Sequence, residues 1–227
     1  MERVAIIVVD MWNKHWCSTF TERLASMVPR MNETLAAARD NGATIVHAPS
    51  DVLDFYADDA ARLAMLDVPV APLPAEKPFD PPLYGGPTDL CECAQHRPCR
   101  RRRHLWSRQH PDLNIARGDL IGNCDSEQEL VNLCAARNID TLVYMGVASN
   151  LCILHRKMGV INMVRRGFSA IVVSDLVKAI TANGVNGSGR ADPTFTPDLG
   201  TLLVQRHIER HVCPTVASAD VIAGVLP

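Results

Sequence analysis

No apolar stretch in this chain approaches the roughly 20 residues that a membrane-spanning helix requires. Net charge is nearly absent as well. The 23 Lys and Arg against 25 Asp and Glu leave −2, so there is no electrostatic case for nucleic acid or an anionic membrane surface as partner. The N-terminus lacks the shape of a signal peptide: its apolar run, Val4 to Val9, is short and stops at Asp10 with no small-residue cleavage site behind it. A cytoplasmic location is the default expectation, although a trimmed export signal would leave no trace. Internal repeats are missing, and so is a standard paired-CxxC zinc spacing. Cys91, Cys93 and Cys99 lie within nine residues while the other five of the eight cysteines are scattered. That pattern suits neither a dense disulfide framework nor an ordinary zinc ribbon.

What is present is a large apolar fraction, 47% of 227 residues, enough to bury a full core as one domain spanning 1–227. Val4 to Asp10 reads as the first core strand. A helix is predicted over 19–40, with Asn41-Gly42 as its C-cap, then a parallel strand over 43–47 and a helical pattern over 51–66. The segment from about 68 to 115 breaks the pattern. It holds most of the prolines, two adjacent glycines and the cysteine cluster, and it reads as an insertion running over the surface. Regular structure resumes with short strand 119–121, a helix capped near Asp125-Ser126, strand 141–147, a helix over 149–166 closed by Gly167, and strand 170–173. A helix over 196–211, a last short strand at 214–216 and a terminal helix after Ser218 complete the chain. This alternation predicts an α/β fold: a parallel sheet covered by helices on both faces.

Two strand ends carry side chains that an apolar strand does not need. The first strand ends in Asp10, with Trp12, His15 and Trp16 following within six residues. An acid there faces the ligand crevice of an open α/β sheet and can act as a base, although it can equally cap the next helix. The second is Gly146-Val-Ala-Ser-Asn-Leu-Cys152, in which the thiol falls in the first turns of a helix. Unpaired N–H groups and the helix field would lower its pKa there. A small buried hydrophobe is the alternative reading of Cys152. In the cysteine cluster, Cys91, Cys93 and Cys99 could bind zinc with His96 or hold a disulfide that staples the loop, the commoner arrangement. The basic run Arg100 to Arg103 beside it is a solvated face or a guide for an anionic substrate, and Arg108 and His110 are weaker pocket candidates.

These segments together resemble the isochorismatase-like cysteine hydrolases, which include nicotinamidases and N-carbamoylsarcosine amidases. The resemblance rests on the strand Val4-to-Asp10, on Leu130-to-Asp140 running into Leu142-Val143, on Gly146-to-Ile153 and on Gly167 with the strand after it. It implies a three-layer α/β/α fold around a roughly six-stranded parallel sheet, and a homo-oligomer. It also implies hydrolysis of a C–N bond in a small amide or carbamoyl-type substrate through a thioester at Cys152. Asp10 would be the base, and a cis peptide would precede the nucleophile at Val147–Ala148. The Ala148 and Cys152 amides would form the oxyanion hole, with Trp12, His15 and Asn150 on the substrate side. No cofactor and no catalytic metal are implied, since His47-Ala-Pro-Ser-Asp51 does not match the Asp-x-His motif of nicotinamidases.

One departure is chemical. The family places a lysine just after the strand that precedes the cysteine-bearing one, and here that stretch is Gly118-Asp-Leu-Ile-Gly-Asn-Cys124. The expected position falls on Asn123 or Cys124. Lys14 or His15 then supplies the charge, or the chemistry differs, or the chain keeps the fold as a non-catalytic protein that binds a small molecule or partner. A redox or metal protein built on the Cys91 cluster is the third reading.

Overall fold

A computed structural model describes residues 1–89, 91–93, 99–100, 105–184 and 192–227. His96 and Arg101 to Arg103 lie outside these residues. Six strands form one sheet: β1 (Val4–Val9), β2 (Thr44–Ala48), β3 (Leu120–Ile121), β4 (Thr141–Val147), β5 (Ser169–Lys178) and β6 (Thr215–Val216). Their order is β3-β2-β1-β4-β5-β6 and every pairing is parallel. All six residues of β1 are buried, as expected of a central parallel strand with helices on both sides. Val4, Ile6 and Val8 pack with helices α1 (Ser18–Ala25), α2 (Val28–Asp40) and α8 (Ser218–Ile222) on one face. Ala5, Ile7 and Val9 face α3 (Ala60–Leu66), α4 (Glu127–Arg137), α5 (Cys152–His155), α6 (Val160–Arg165) and α7 (Pro197–His211) on the other. The three-layer expectation holds.

Several elements differ from the periodicity. The single helix expected over 19–40 is two, because Pro29 in the first turn of α2 lacks the N–H that a continuous helix would need. The pattern over 51–66 divides into a 3-10 turn, Leu53–Tyr56, and α3. β5 runs five residues beyond the expected Val173, its pairing with β4 shifting register between Tyr144 and Gly146.

The helix expected over 149–166 is also broken. α5 stops after one turn, and Arg156 leaves it in extended conformation (ψ 164°). Met158 N–H then donates to Cys124 O, and Tyr144 Oη donates to Met158 O from the core below. A Cβ on Gly159 would lie 2.8 Å from Ile153 O, so the chain passes too close to α5 there for any side chain. This break decides where the Arg156 side chain ends up.

Segment 68–115 contains no named helix or strand among its described residues. It is tied down residue by residue: Ala71 N–H to Asn132 Oδ1, Lys77 N–H to Arg165 O, and Trp12 bridged to Gln109 in antiparallel sense.

β1 and β4 approach closely where Val9 pairs with Gly146. Gly146 has φ +115°, and a Cβ built on it would sit 2.1 Å from Val9 O. Only glycine satisfies both constraints. Gly146→Ala is expected to destabilise the fold by more than about 2 kcal/mol, read as a lowered urea midpoint. An unchanged midpoint would show that the β1–β4 contact tolerates separation.

Candidate functional site

The chain passes from β1 outward to β3 on one side and from β4 outward to β6 on the other, so β1 and β4 flank the topological switch point. In open α/β sheets the crevice beyond the carboxyl ends of such strands is where ligands bind. Asp10 follows β1 and the Cys152 loop follows β4, and the Val9–Gly146 register brings the two strand ends out side by side. The two residues stand 142 positions apart in sequence, and the sheet alone brings them together.

Asp10 is fully buried, with φ +50°. Its Oδ1 accepts from Ser50 N–H at 2.7 Å, whereas Oδ2 completes no hydrogen bond and lies 3.9 Å from Arg156 Nε. Burial pushes this carboxyl up to about 6, against the lowering pull of the Cys152 thiol, the Ser50 amide and the Arg156 charge. At neutral pH it is therefore a carboxylate, and a far stronger base than an exposed aspartate. The Val147–Ala148 peptide is cis. Ala148 N–H points at Cys152 Sγ and favours the thiolate, as does Arg156. Burial and the Asp10 charge outweigh both and hold the Cys152 pKa well above that of an ordinary thiol. The expectation of a thiol pKa lowered by the helix start is thus corrected. α5 has only four residues, too short for much field, and the buried acid beside the sulfur dominates. The resting pair is a thiol next to a carboxylate.

The position expected for the missing lysine is filled by Cys124, buried and within electrostatic range of Asp10 and Cys152. Asn123 turns its side chain to the Asp125 amide instead. Neither proposed substitute supplies the cation. Lys14 is exposed. Burial lowers the pKa of His15 to about 4, so its ring is neutral at working pH. A cation does stand near Asp10 in Arg156, a residue the sequence reading passed over. Its Nη1 donates to both Asp125 carboxylate oxygens at 3.0 Å and its Nη2 to Ser50 Oγ at 2.9 Å. Burial opposes its charge, but Cys152, Asp10 and Asp125 more than compensate and raise its pKa further. Arg156 follows Cys152 by four residues, but it leaves α5 in extended backbone, so helical spacing alone gave no signal that it reaches Asp10.

A cavity of about 250 Å³ opens over this group. Trp12, His15, Trp16, Phe20 and Trp106 line it together with Cys152, Arg156, Ala148, Asp51, Leu151 and Ile180. Trp106, from the end of the insertion, stacks on Trp12 with centroids 4.5 Å apart and 19° between planes. It lies 5.7 Å from His15 at 2°. Trp12 Nε1 is anchored on Ser50 O, and His15 Nδ1 accepts from Cys17 N–H. The His15 proton therefore sits on Nε2. Trp12 and His15 line the cavity. Asn150 does not: its amide donates to Ile180 O at 2.9 Å and accepts from Ile180 N–H at 3.0 Å, clamping the loop after β5. Arg108 and His110 also lie elsewhere, with Arg108 exposed over the Phe55 ring. His47 is buried between Gln109 and Asp119 and does not line the cavity.

Asp10 carries a stability cost whose sign can be worked out. A carboxyl that ionises near 3.8 when exposed and near 6 here holds its proton more tightly in the folded state. That linkage favours folding fully below about pH 4 and is lost as pH rises through 6. Asp10→Asn, which keeps an acceptor for Ser50 N–H, is expected to raise stability by about 1–3 kcal/mol at pH 8 and by little below pH 4. Urea titrations at the two pH values measure the difference; a gain of equal size at both would mean the ionised carboxylate is not the cause.

Residues 122–190 match a family model described as isochorismatase domain. No functionally curated protein matches the chain in sequence. Among solved structures it is similar to a cysteine hydrolase from Pseudomonas syringae pv. phaseolicola 1448A, at 19% identity and TM-score 0.60 over 98% of this chain and 92% of that one. An isochorismatase-like hydrolase from Alkaliphilus metalliredigens aligns at 14% identity and TM-score 0.55, covering 98% of both chains. The N-carbamoylsarcosine amidase of Thermoplasma acidophilum aligns at 17% and 0.52, covering 95% of this chain and 96% of that one. The chain thus carries an isochorismatase-domain match on an isochorismatase-like α/β fold, and it resembles the cysteine hydrolases built on that fold.

Proposed function

We propose that the protein is a cysteine hydrolase that cleaves a C–N bond of a small, planar amide or carbamoyl compound. The observation that carries this reading is the convergence of Asp10, Cys152 and Arg156 beneath one aromatic cavity. A thiol alone reacts slowly, and a buried carboxylate alone is a base with nothing to activate. In the proposed reaction Cys152 Sγ attacks the carbonyl carbon while its proton passes to Asp10. The oxyanion is received by the Ala148 and Cys152 amides, donors fixed before reaction starts. Collapse expels the nitrogen, which takes the proton from Asp10 and leaves a thioester. Asp10 then removes a proton from water as it attacks the thioester carbonyl. The tetrahedral intermediate releases the acid and the Cys152 thiolate, and the thiolate recovers its proton from Asp10.

Arg156 keeps Asp10 ionised and offsets the charge that passes between carboxylate and sulfur. The stacked rings of Trp12, Trp106 and His15 favour a flat substrate and hold water away. One observation favours a non-catalytic binder instead: an uncharged Cys124 stands where related hydrolases are expected to carry their lysine.

Activity is expected to rise with pH through an acid limb near 6, following Asp10. Cys152→Ala is expected to abolish turnover of every amide in a small panel, and an electrophilic amide analogue is expected to label Cys152. Labelling confined to other cysteines would leave the binder reading. Arg156→Met is expected to lower kcat/KM by about 10²-fold and to move the acid limb above 6, because it removes a charge that lowers the Asp10 pKa. Arg156→Lys is expected to restore part of both. If kcat/KM fell while the limb stayed in place, Arg156 would act on packing and not on Asp10.

A further inference from the structure

A second group of cysteines, outside the cavity, has a geometry that neither the hydrolase chemistry nor the fold requires. Cys17 ends the loop after β1 and caps α1; Cys91, Cys93 and Cys99 belong to the insertion. The Sγ atoms of Cys17, Cys91 and Cys93 all lie within 4.8 Å of one another. Cys93 Sγ is 3.6 Å from Cys17 Sγ and 3.5 Å from Cys99 Sγ, and the Cys99 amide donates to Cys91 Sγ at 3.3 Å. None of the four is in a disulfide. A tetrahedral zinc with Zn–S bonds of about 2.3 Å sets its sulfurs about 3.8 Å apart. The Cys93–Cys17 and Cys93–Cys99 separations fall close to that edge length, and Cys99 joins the group of three through Cys93.

Backbone and hydroxyl groups face two of the sulfurs. Cys17 Sγ accepts from the Phe20 and Glu92 amides at 3.4 and 3.1 Å, and Thr19 Oγ1 donates to Cys93 Sγ at 3.2 Å. Ser18 Oγ lies 3.4 Å from the same sulfur. Donors of this kind orient and stabilise metal-bound sulfur, and the N-terminus of α1 adds a positive field. The frame is rigid as well. Glu92, between two of the cysteines, is buried and receives Arg23 Nη1 at 2.7 and 2.6 Å, and Thr181 N–H at 3.1 Å.

We propose that Cys17, Cys91, Cys93 and Cys99 form a structural zinc site that bolts the insertion to the loop carrying His15 and Trp16. The sequence reading did not join Cys17 to the cluster, because 74 residues separate it from Cys91. Thiolate-only donor sets in tetrahedral geometry take zinc or iron. Zinc suits this role, because a site that only holds a loop needs no redox partner. The inference stands apart from the hydrolase reading, since it depends on neither Asp10 nor Cys152.

The test is metal content of the full chain, purified with reductant from zinc-supplied cells. One zinc per chain is expected, retained through dialysis, retained in Cys152→Ala and lost in Cys93→Ser and Cys99→Ser. Exchange into cobalt is expected to give the visible and charge-transfer bands of a tetrathiolate ion. Should the serine variants prove insoluble, the stoichiometry and cobalt spectrum of the unaltered chain still decide. Zinc content well below one per chain would overturn the proposal. So would iron in its place, zinc that survives both serine substitutions, or a cobalt spectrum lacking thiolate bands.

Discussion

The contact on which the site depends is the close approach of β1 and β4 at Val9 and Gly146. Parallel neighbours in register bring their carboxyl ends out at the same level, so the residues that follow them share one crevice. Gly146 allows the backbones to touch where a side chain would collide with Val9 O. Asp10 and the Cys152 loop then emerge side by side, and the chemistry follows from that adjacency.

The electrostatics are those of a small set of charges placed with little water. A buried carboxylate is costly, and the structure makes it tolerable with one backbone donor and one guanidinium. The guanidinium is held by Asp125 and Ser50, so it is shared and not wholly paired to Asp10. The outcome is a carboxyl that ionises near 6 beside a thiol that does not ionise by itself at neutral pH. Such a pair is set to move a proton only when an electrophile reaches the sulfur.

The insertion contributes more than cover. Its return leg brings Trp106 onto Trp12 and completes the aromatic wall, and its cysteines meet Cys17 just behind that wall. His15 connects the two regions, since its ring lines the cavity while its Nδ1 accepts from the Cys17 amide. A proline-rich segment whose described residues form no helix or strand is thereby held over the carboxyl end of β1 by particular contacts, in place of a core of its own.

Much was legible in the sequence. Strand-length apolar runs alternating with helical periodicity determine a parallel α/β sheet, because each pattern buries only in one way. Asp10 and Cys152 stood out because polar residues at the ends of buried strands have little structural reason to be there. What the sequence did not determine was which cation would serve them, or which cysteines would meet. Arg156 reaches Asp10 because the helix breaks after one turn, a consequence of chain crowding near Gly159 that no local periodicity records. Asn150 sits between two site residues in sequence, yet it turns to Ile180 because the backbone there needed partners. Cys17 joins Cys91, Cys93 and Cys99 across 74 residues by the path of the insertion. Local pattern decides which face a residue presents; only the packed chain decides what stands opposite it.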